Sequence, residues 1–361
     1  KPTDIKLAAS VRAAPREHRD PGLRADKDKR ALFSAAKEVK HLTANIGTEI
    51  VGLQLSELTD QQKDELALLI AERTVVFFRD QDLSPPQQRD LGAYFGEVEV
   101  RPLTLSSPRE EGGRADSGSQ VHPSAPQVPG LPGVSIIWPD LAGDVSQFGF
   151  RNPYGTNDWH TDLTHERQPP GITHLHLDEL PDLGGDTYWA SGYTVYDALS
   201  PSFRKIVDGL SAVYRSAHSY PDPSQPDEPR IPIERVHPLV RTHPVTGWKS
   251  LFVNRKFTLR IVGLDKPESD LILNYLFDLY EKRLDAQIRF KWTPRTSALW
   301  DNRVSIHAAV FDYDPQGQPR HGTRVSSLAE VPTFDPSSPS RREALGLDKP
   351  EDFLPHKQFE Y

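Results

Sequence analysis

The sequence predicts a mainly β protein with flanking helices, a sandwich or barrel and not a doubly wound parallel sheet. Three observations lead there. Past residue 133 short strand-like runs follow one another with turn residues between them; one long amphipathic pattern, ESDLILNYLFDLYEK (268–282), interrupts them; and no repeat of fixed period runs through the chain. With 361 residues and 36% hydrophobic content the chain can bury a large core, as one large domain or two modest ones.

Residues 1–43 mix Lys, Arg, Asp, Glu and Pro with few large apolar side chains, the composition of an arm that is extended or partly disordered. The body then begins with TEIVGLQL (48–55), which reads as a strand. LTDQQKDELALLIAER opens with a capping box, Thr59 and Gln62, and continues at helical spacing, and TVVFFRD (74–80) follows as a buried strand. SPPQQRDLGAYFG starts a second helix with Ser84 as cap, Pro85 at the first position and Gln87 closing another box. Two stretches rich in Gly, Ser and Pro, 105–132 and 219–232, read as long irregular loops and as lid candidates, with mobile surface insertions the plainer alternative. Strands are expected at VSIIW, THLHLDEL, DTYWAS, LSAVYRSA, HPLVRTHP, KSLFVN, QIRFKW, SALWDN, SIHAAVFDY and TRVSSLAEV.

Charge and composition exclude several classes. A net charge of −8 with no long basic run argues against a nucleic-acid partner. No apolar run is long enough to cross a bilayer and the N-terminus has no apolar stretch like a signal peptide, so a cytoplasmic protein without a membrane partner is expected. Zero cysteines leave histidine and carboxylates as the metal ligands available.

Thirteen histidines make any one of them weak evidence, and His174 and His176 in THLHL can simply line one strand face. NDWHTD (157–162) carries more. One residue between His160 and Asp162 sends both side chains to the same side of an extended chain. A third ligand is offered by His307 in ALWDNRVSIHAAVFDY. Two histidines and one carboxylate leave open positions on an ion, which suits ferrous iron that must also bind a cosubstrate and dioxygen; a zinc hydrolase can use the same residue types. A site for an oxo-acid cosubstrate separates the two readings. PRHGTRVSS supplies Arg320 and Arg324, whose guanidinium forks match a carboxylate.

These residues resemble the TauD/TfdA (taurine dioxygenase) family of iron(II)- and 2-oxoglutarate-dependent oxygenases. The resemblance runs from about residue 46 to about 330, through GTEIVGLQL, VVFFRDQDL, FGEVEV, NDWHTDLTHERQPPG, LPDLGGDTYWAS, HPLVRTHPVTGWKSLFVN and WDNRVSIHAAVFDY. It implies a double-stranded β-helix, or jelly roll, in a single dioxygenase domain spanning 44–361. It makes His160, Asp162 and His307 the iron(II) ligands, with no further catalytic residue. It matches Thr187 and Arg320 to the pair that holds the distal carboxylate of 2-oxoglutarate, and Arg324 to an arginine that reaches both cosubstrate and substrate. The activity implied is oxidation of a C–H bond of a small acidic substrate with O2, giving succinate and CO2.

The sequence departs from the family pattern where substrate is chosen. Taurine enzymes have His-Pro and then Tyr where this chain reads Arg101, Pro102, Leu103 and Thr104, and an Asn where it has Thr156. Tyr220 and Phe257 keep the aromatic character of the pocket. A sulfonate or sulfate ester fits Arg324 with the additional Arg101. The same chemistry on an amino acid or other carboxylate is the alternative, and a non-catalytic β-sandwich binding protein a remote one. Self-association cannot be read from these residues, and a homo-oligomer stays open.

Overall fold

The structure is a computed structural model that describes residues 15–100, 126–138, 159–220, 231–313 and 319–347. Its strands, in chain order, are β1 (Glu38–His41), β2 (Thr48–Val51), β3 (Val75–Phe78), β4 (Ser135–Ile137), β5 (Pro170–Glu179), β6 (Thr187–Ser191), β7 (Ser211–Tyr220) and β8 (Ile231–Pro238). They continue with β9 (Val240–Thr242), β10 (Lys249–Leu251), β11 (Thr258–Ile261), β12 (Gln287–Phe290), β13 (Thr296–Asp301), β14 (Ser305–Ala309) and β15 (His321–Leu328). One seven-stranded sheet has the order β1-β2-β3-β13-β5-β15-β4, in which only β2 and β3 run parallel. The others are β12-β6-β14, β11-β7-β8 and β10-β9.

Strand alternation sorts the large sheet into two faces. Val76 and Phe78 of β3, Leu299 of β13 and Ile172 of β5 pack outward against the helices α1 (Arg30–Ala35), α2 (Asp60–Arg73) and α3 (Pro85–Phe95). Val75, Phe77, Ala298, Trp300, Leu175 and Leu177 point the other way, onto Trp189 of β6 and Ile288 and Phe290 of β12. Because β3 is buried on both faces it reads as an unbroken apolar run, as TVVFFRD does. Three indoles line the interior in file, Trp300 to Trp189 at 5.7 Å in a T-shaped contact and Trp189 to Trp292 at 6.1 Å in a tilted one, between centroids.

Both capping boxes form. Thr59 Oγ1 accepts from Gln62 N at 3.3 Å, and Ser84 N donates to the Gln87 side chain at 2.9 Å. The amphipathic pattern near 268–282 is α3's later counterpart α4 (Lys266–Lys282), which buries Leu273, Leu276, Phe277 and Tyr280 against the smaller sheets.

Three expectations are corrected or refined. The strand expected over 48–55 stops at Val51, because Gly52 takes φ +85° and passes so near Lys37 that a Cβ there would lie 2.7 Å from the lysine Cβ. The supposed loop 219–232 begins and ends as strand, with Ser219 opposite Pro232 and Tyr220 opposite Ile231. Pro232 is tolerated because β8 is an edge strand, where a missing N–H costs no ladder bond. Residues 221–230 lie outside the described residues, as do 105–125 of the other loop. Its remainder forms a tight turn, Val128 N to Val134 O at 3.0 Å, packed with Val98 and Val325.

Residues 15–43 rest on this body: β1 pairs with β2, and Asp20 is buried against Arg303. Among the described residues no helix is long and apolar enough to cross a membrane.

Candidate active site

The chain brings His160 and His307 together by backbone pairing. His160 N donates to His307 O at 3.0 Å and His307 N to His160 O at 2.8 Å, which extends β14 by one antiparallel bridge. The extended spacing then puts Asp162 on the same side as His160. Leu163, at φ +48°, ends the extended run, and a turn closes with Glu166 N on Leu163 O at 2.9 Å. Thr161, on the opposite side, donates to Ser305 O at 2.6 Å and pins the segment to β14.

The three ligand atoms lie within 4.8 Å of one another. Asp162 Oδ1 stands 3.8 Å from His160 Nε2 and 3.9 Å from His307 Nε2, with side chains 3, 16 and 7% exposed respectively. These separations are too long for hydrogen bonds and suit atoms that share an ion. Asp162 Oδ2 instead accepts from Arg324 Nη2. One carboxylate oxygen is thus left for the cation while the other is neutralised. Two imidazoles and a carboxylate with an open side are the donor set ferrous iron accepts, so the residues fit that metal.

Arg324 also lies over Trp300, 5.2 Å from the ring centroid, and Trp300 faces His307 at 4.9 Å. Its buried Nε has no hydrogen-bond partner among the described residues. Arg320, just before β15, donates from Nε to Gly185 O at 3.0 Å and from Nη2 to Thr187 Oγ1 at 3.4 Å. Trp292 Nε1 donates to the same Thr187 hydroxyl at 3.0 Å. Among the described residues no carboxylate is hydrogen-bonded to Arg320, since nearby Asp186 is engaged by Arg289 at 2.6 Å. Burial pushes the Arg320 guanidinium below its usual range, and an incoming carboxylate would reverse that.

Phe257 is buried beside the cluster, its ring 6.1 Å from His160 and 5.5 Å from His165. Arg101 and Thr156 lie outside the described residues, and of Tyr220 only the backbone, at the end of β7, is described. His174 and His176 do line one strand face, the outer one. Both bond Ser297 Oγ at 2.9 Å, and beside them α3's Gln88 donates to the His174 carbonyl, away from the metal cluster.

Sequence reasoning passed over His165, Trp292, Trp300 and Asn302. The two-residue spacing of Trp300 and Asn302, the same as that of His160 and Asp162, is the signal the sequence carries for them. Trp292 and His165 offered none.

A second cluster of like residues lies close by. Arg303 meets Asp301 at 2.7 Å, Asp20 at 2.7 Å and Glu330 at 3.3 Å; Arg241 also pairs with Glu330. His243 Nε2 lies 2.9 Å from Asp301 Oδ2, and its Nδ1 accepts from the N–H groups of Val245 and Thr246 at 3.2 and 3.3 Å. Since Nδ1 accepts, His243 is neutral with its proton on Nε2.

Residues 38–326 match the family described as taurine catabolism dioxygenase TauD, TfdA family. The chain belongs to this family. It is therefore a 2-oxoglutarate-dependent dioxygenase that uses iron(II) and O2 on a small molecule, built on the double-stranded β-helix that the two opposed sheets form. An alpha-ketoglutarate-dependent sulfonate dioxygenase of Saccharomyces cerevisiae is 34% identical over 328 residues, covering 88% of this chain and 74% of that protein. An alkylsulfatase of Acinetobacter baylyi is 32% identical over 309 residues, covering 82% and 86%. The crystal structure of a taurine dioxygenase from Burkholderia xenovorans superposes with a TM-score of 0.65 at 29% identity, covering 83% of this dioxygenase and 93% of that chain.

Proposed function

We propose that this dioxygenase holds iron(II) through His160, Asp162 and His307, seats 2-oxoglutarate on Arg320 and Thr187, and oxidises a small sulfonate or sulfate ester. The single dioxygenase domain then spans 44–361. The observation that carries the reading is a juxtaposition: a carboxylate oxygen aimed at two imidazoles, beside a buried arginine that no described carboxylate satisfies. The sulfonate dioxygenase and alkylsulfatase relatives support the substrate class.

Iron(II), when bound, supplies activation of O2 coupled to oxidative decarboxylation of 2-oxoglutarate. The protein's own groups do the rest. Arg320 pairs with the distal carboxylate and Thr187, held by Trp292, orients it. Arg324 neutralises Asp162 and offers its remaining donors to the anionic head of the substrate. Phe257 and His165 form an aromatic wall that excludes water and aligns the carbon chain. Arg101, Thr156 and Tyr220 complete the pocket on sequence grounds. Hydroxylation at the carbon bearing the sulfur group gives an adduct that collapses to a carbonyl compound and sulfite, or sulfate from an ester.

The test is succinate formation with iron(II) and 2-oxoglutarate across a panel of sulfonates, alkyl sulfates, amino acids and other carboxylates, with sulfite and sulfate measured. Release of a sulfur anion in step with succinate is expected. Turnover confined to carboxylates would move the substrate to the amino-acid class, and absence of iron-dependent succinate with every compound would sink the assignment.

A further inference from the structure

We infer that Asn302 is a positioning residue for the metal centre, fixing Asp162 from behind and tying it to the strands that carry His307 and Arg324. The inference rests on the metal site proposed above. Asn302 is 1% exposed, and its amide uses all of its hydrogen-bonding capacity. Its Oδ1 accepts from Asp162 N at 3.4 Å and from Trp300 Nε1 at 3.2 Å. Its Nδ2 donates to Gly171 O at 2.9 Å and to Thr173 Oγ1 at 2.8 Å. The amide cannot be turned over, because a flip would set its N–H groups against the two N–H donors and its oxygen against a carbonyl.

Three of these four partners, Asp162, Trp300 and Thr173, belong to or lead toward a site group. Trp300 presents its ring to His307 and to the Arg324 guanidinium. Thr173 is bonded to Ser326, at 2.9 Å, two residues beyond Arg324 on β15. Gly171 and Thr173 anchor the amide to β5. Asp162 N is the only one of the four that belongs to a ligand, and its direction sets where the carboxylate can aim. Without Asn302 the ligand segment keeps the His160–His307 bridge, the Thr161 bond and the Arg324 contact to Asp162 Oδ2, so His160 stays in place while the Asp162 backbone loses the bond that fixes its direction.

Manganese(II), a stand-in that does not turn over, tests this on the metal-free protein in competition with a colorimetric chelator. Asn302→Leu, similar in volume, is expected to weaken manganese binding by about ten- to a hundredfold, the range for lost outer support of a ligand. Thr173→Val, which removes one link, should weaken it less and in the same direction. Tyr280→Phe is the control: it loses a buried hydrogen bond to Leu251 O in the packing of α4, lowers the melting temperature and leaves metal affinity unchanged. Wild-type affinity in folded Asn302→Leu overturns the inference, as does an equal loss in Tyr280→Phe. If Asn302→Leu does not fold, Thr173→Val decides, and wild-type affinity there overturns it. A wild-type protein that binds no manganese fails the metal-site reading itself, whereas normal wild-type binding beside an unaffected variant removes only Asn302.

Discussion

Two clusters of histidine, aspartate and arginine share the stretch WDNRVSIH, and they are completed in opposite ways. Asp301 and Arg303 enter the network with Asp20, neutral His243, Arg241 and Glu330, where arginines, carboxylates and the imidazole meet at hydrogen-bonding distance. Trp300 and Asn302, one residue out of phase, face the metal centre instead, where His160 and His307 stand 3.8 and 3.9 Å from the carboxylate oxygen between them. Residue types do not distinguish the clusters; separation does. Alternating sides let four consecutive positions, 300–303, serve both, so the segment that leads into β14 and the proposed ligand His307 is clamped from its other side.

That contrast can be broken from either end. Replacing His160, Asp162 or His307 singly by alanine should reduce iron-dependent succinate formation below detection while circular dichroism stays near wild type. The melting temperature should hold in the two histidine variants and fall in Asp162→Ala, which strands Arg324. Full activity in any of the three would remove that residue from the centre. Arg303→Ala should do the reverse, since it strands the buried carboxylates of Asp20 and Asp301. A loss of about 3–5 kcal/mol in urea unfolding is expected, the cost of breaking a buried pair from one side. A loss below about 1 kcal/mol would mean that the network is not what holds the arm to the segment between β13 and β14.

Acid should expose the same division in the metal-free protein. Burial lowers the pKa of His174, His237 and His243, that of His237 to about 4. Their unfolded forms take up protons first as pH falls through about 6.5, so stability is lost between there and about 4, by roughly 3 kcal/mol for His237 alone. Asp20, Asp301 and Glu330 titrate low in the fold despite their burial, because Arg303 pairs with all three. Their contribution is present above the ordinary carboxylate range and is lost only on further acidification. Unfolding midpoints that do not fall between pH 6.5 and 4 would show that these histidines protonate without cost.

The smallest effect separates two groups within the site. Arg320→Ala should raise the apparent constant for 2-oxoglutarate more than Thr187→Ala does, because a charge-assisted bond is worth about twice a neutral one. An unchanged constant in Arg320→Ala would remove it from the cosubstrate pocket.

Much of this was legible in the sequence where the physics is local or the chemistry demanding. The caps at Thr59 and Ser84 depend on residues three positions apart, and HTD declares its own side of the chain. His307 could be matched to that pair because few partners complete a ligand set. The interior run VVFF and the helix near 268–282 followed from burial alone. At the end of the 219–232 stretch Pro232 enters a strand because proline forbids a ladder bond only on a paired edge, and which edge is paired is a tertiary fact. Trp292 was illegible for the same reason and Asn302 was marked only by its spacing from Trp300, since neither type has any preference for a metal centre and their roles come from what β5 and β6 bring to them. The Arg303 network joins an arm residue to the far end of the chain, and no local pattern announces it.

The file of indoles through the interior has an optical consequence. Trp300 lies against His307, Trp189 touches Trp300, and Trp292 touches Trp189 and ends on Thr187. Excitation absorbed by any of the three can pass along the file to the ring beside the metal ligand, where a bound transition-metal ion quenches emission. Half of the six tryptophans therefore share one reporter, and loading of the centre should be visible as loss of intrinsic fluorescence without any added dye.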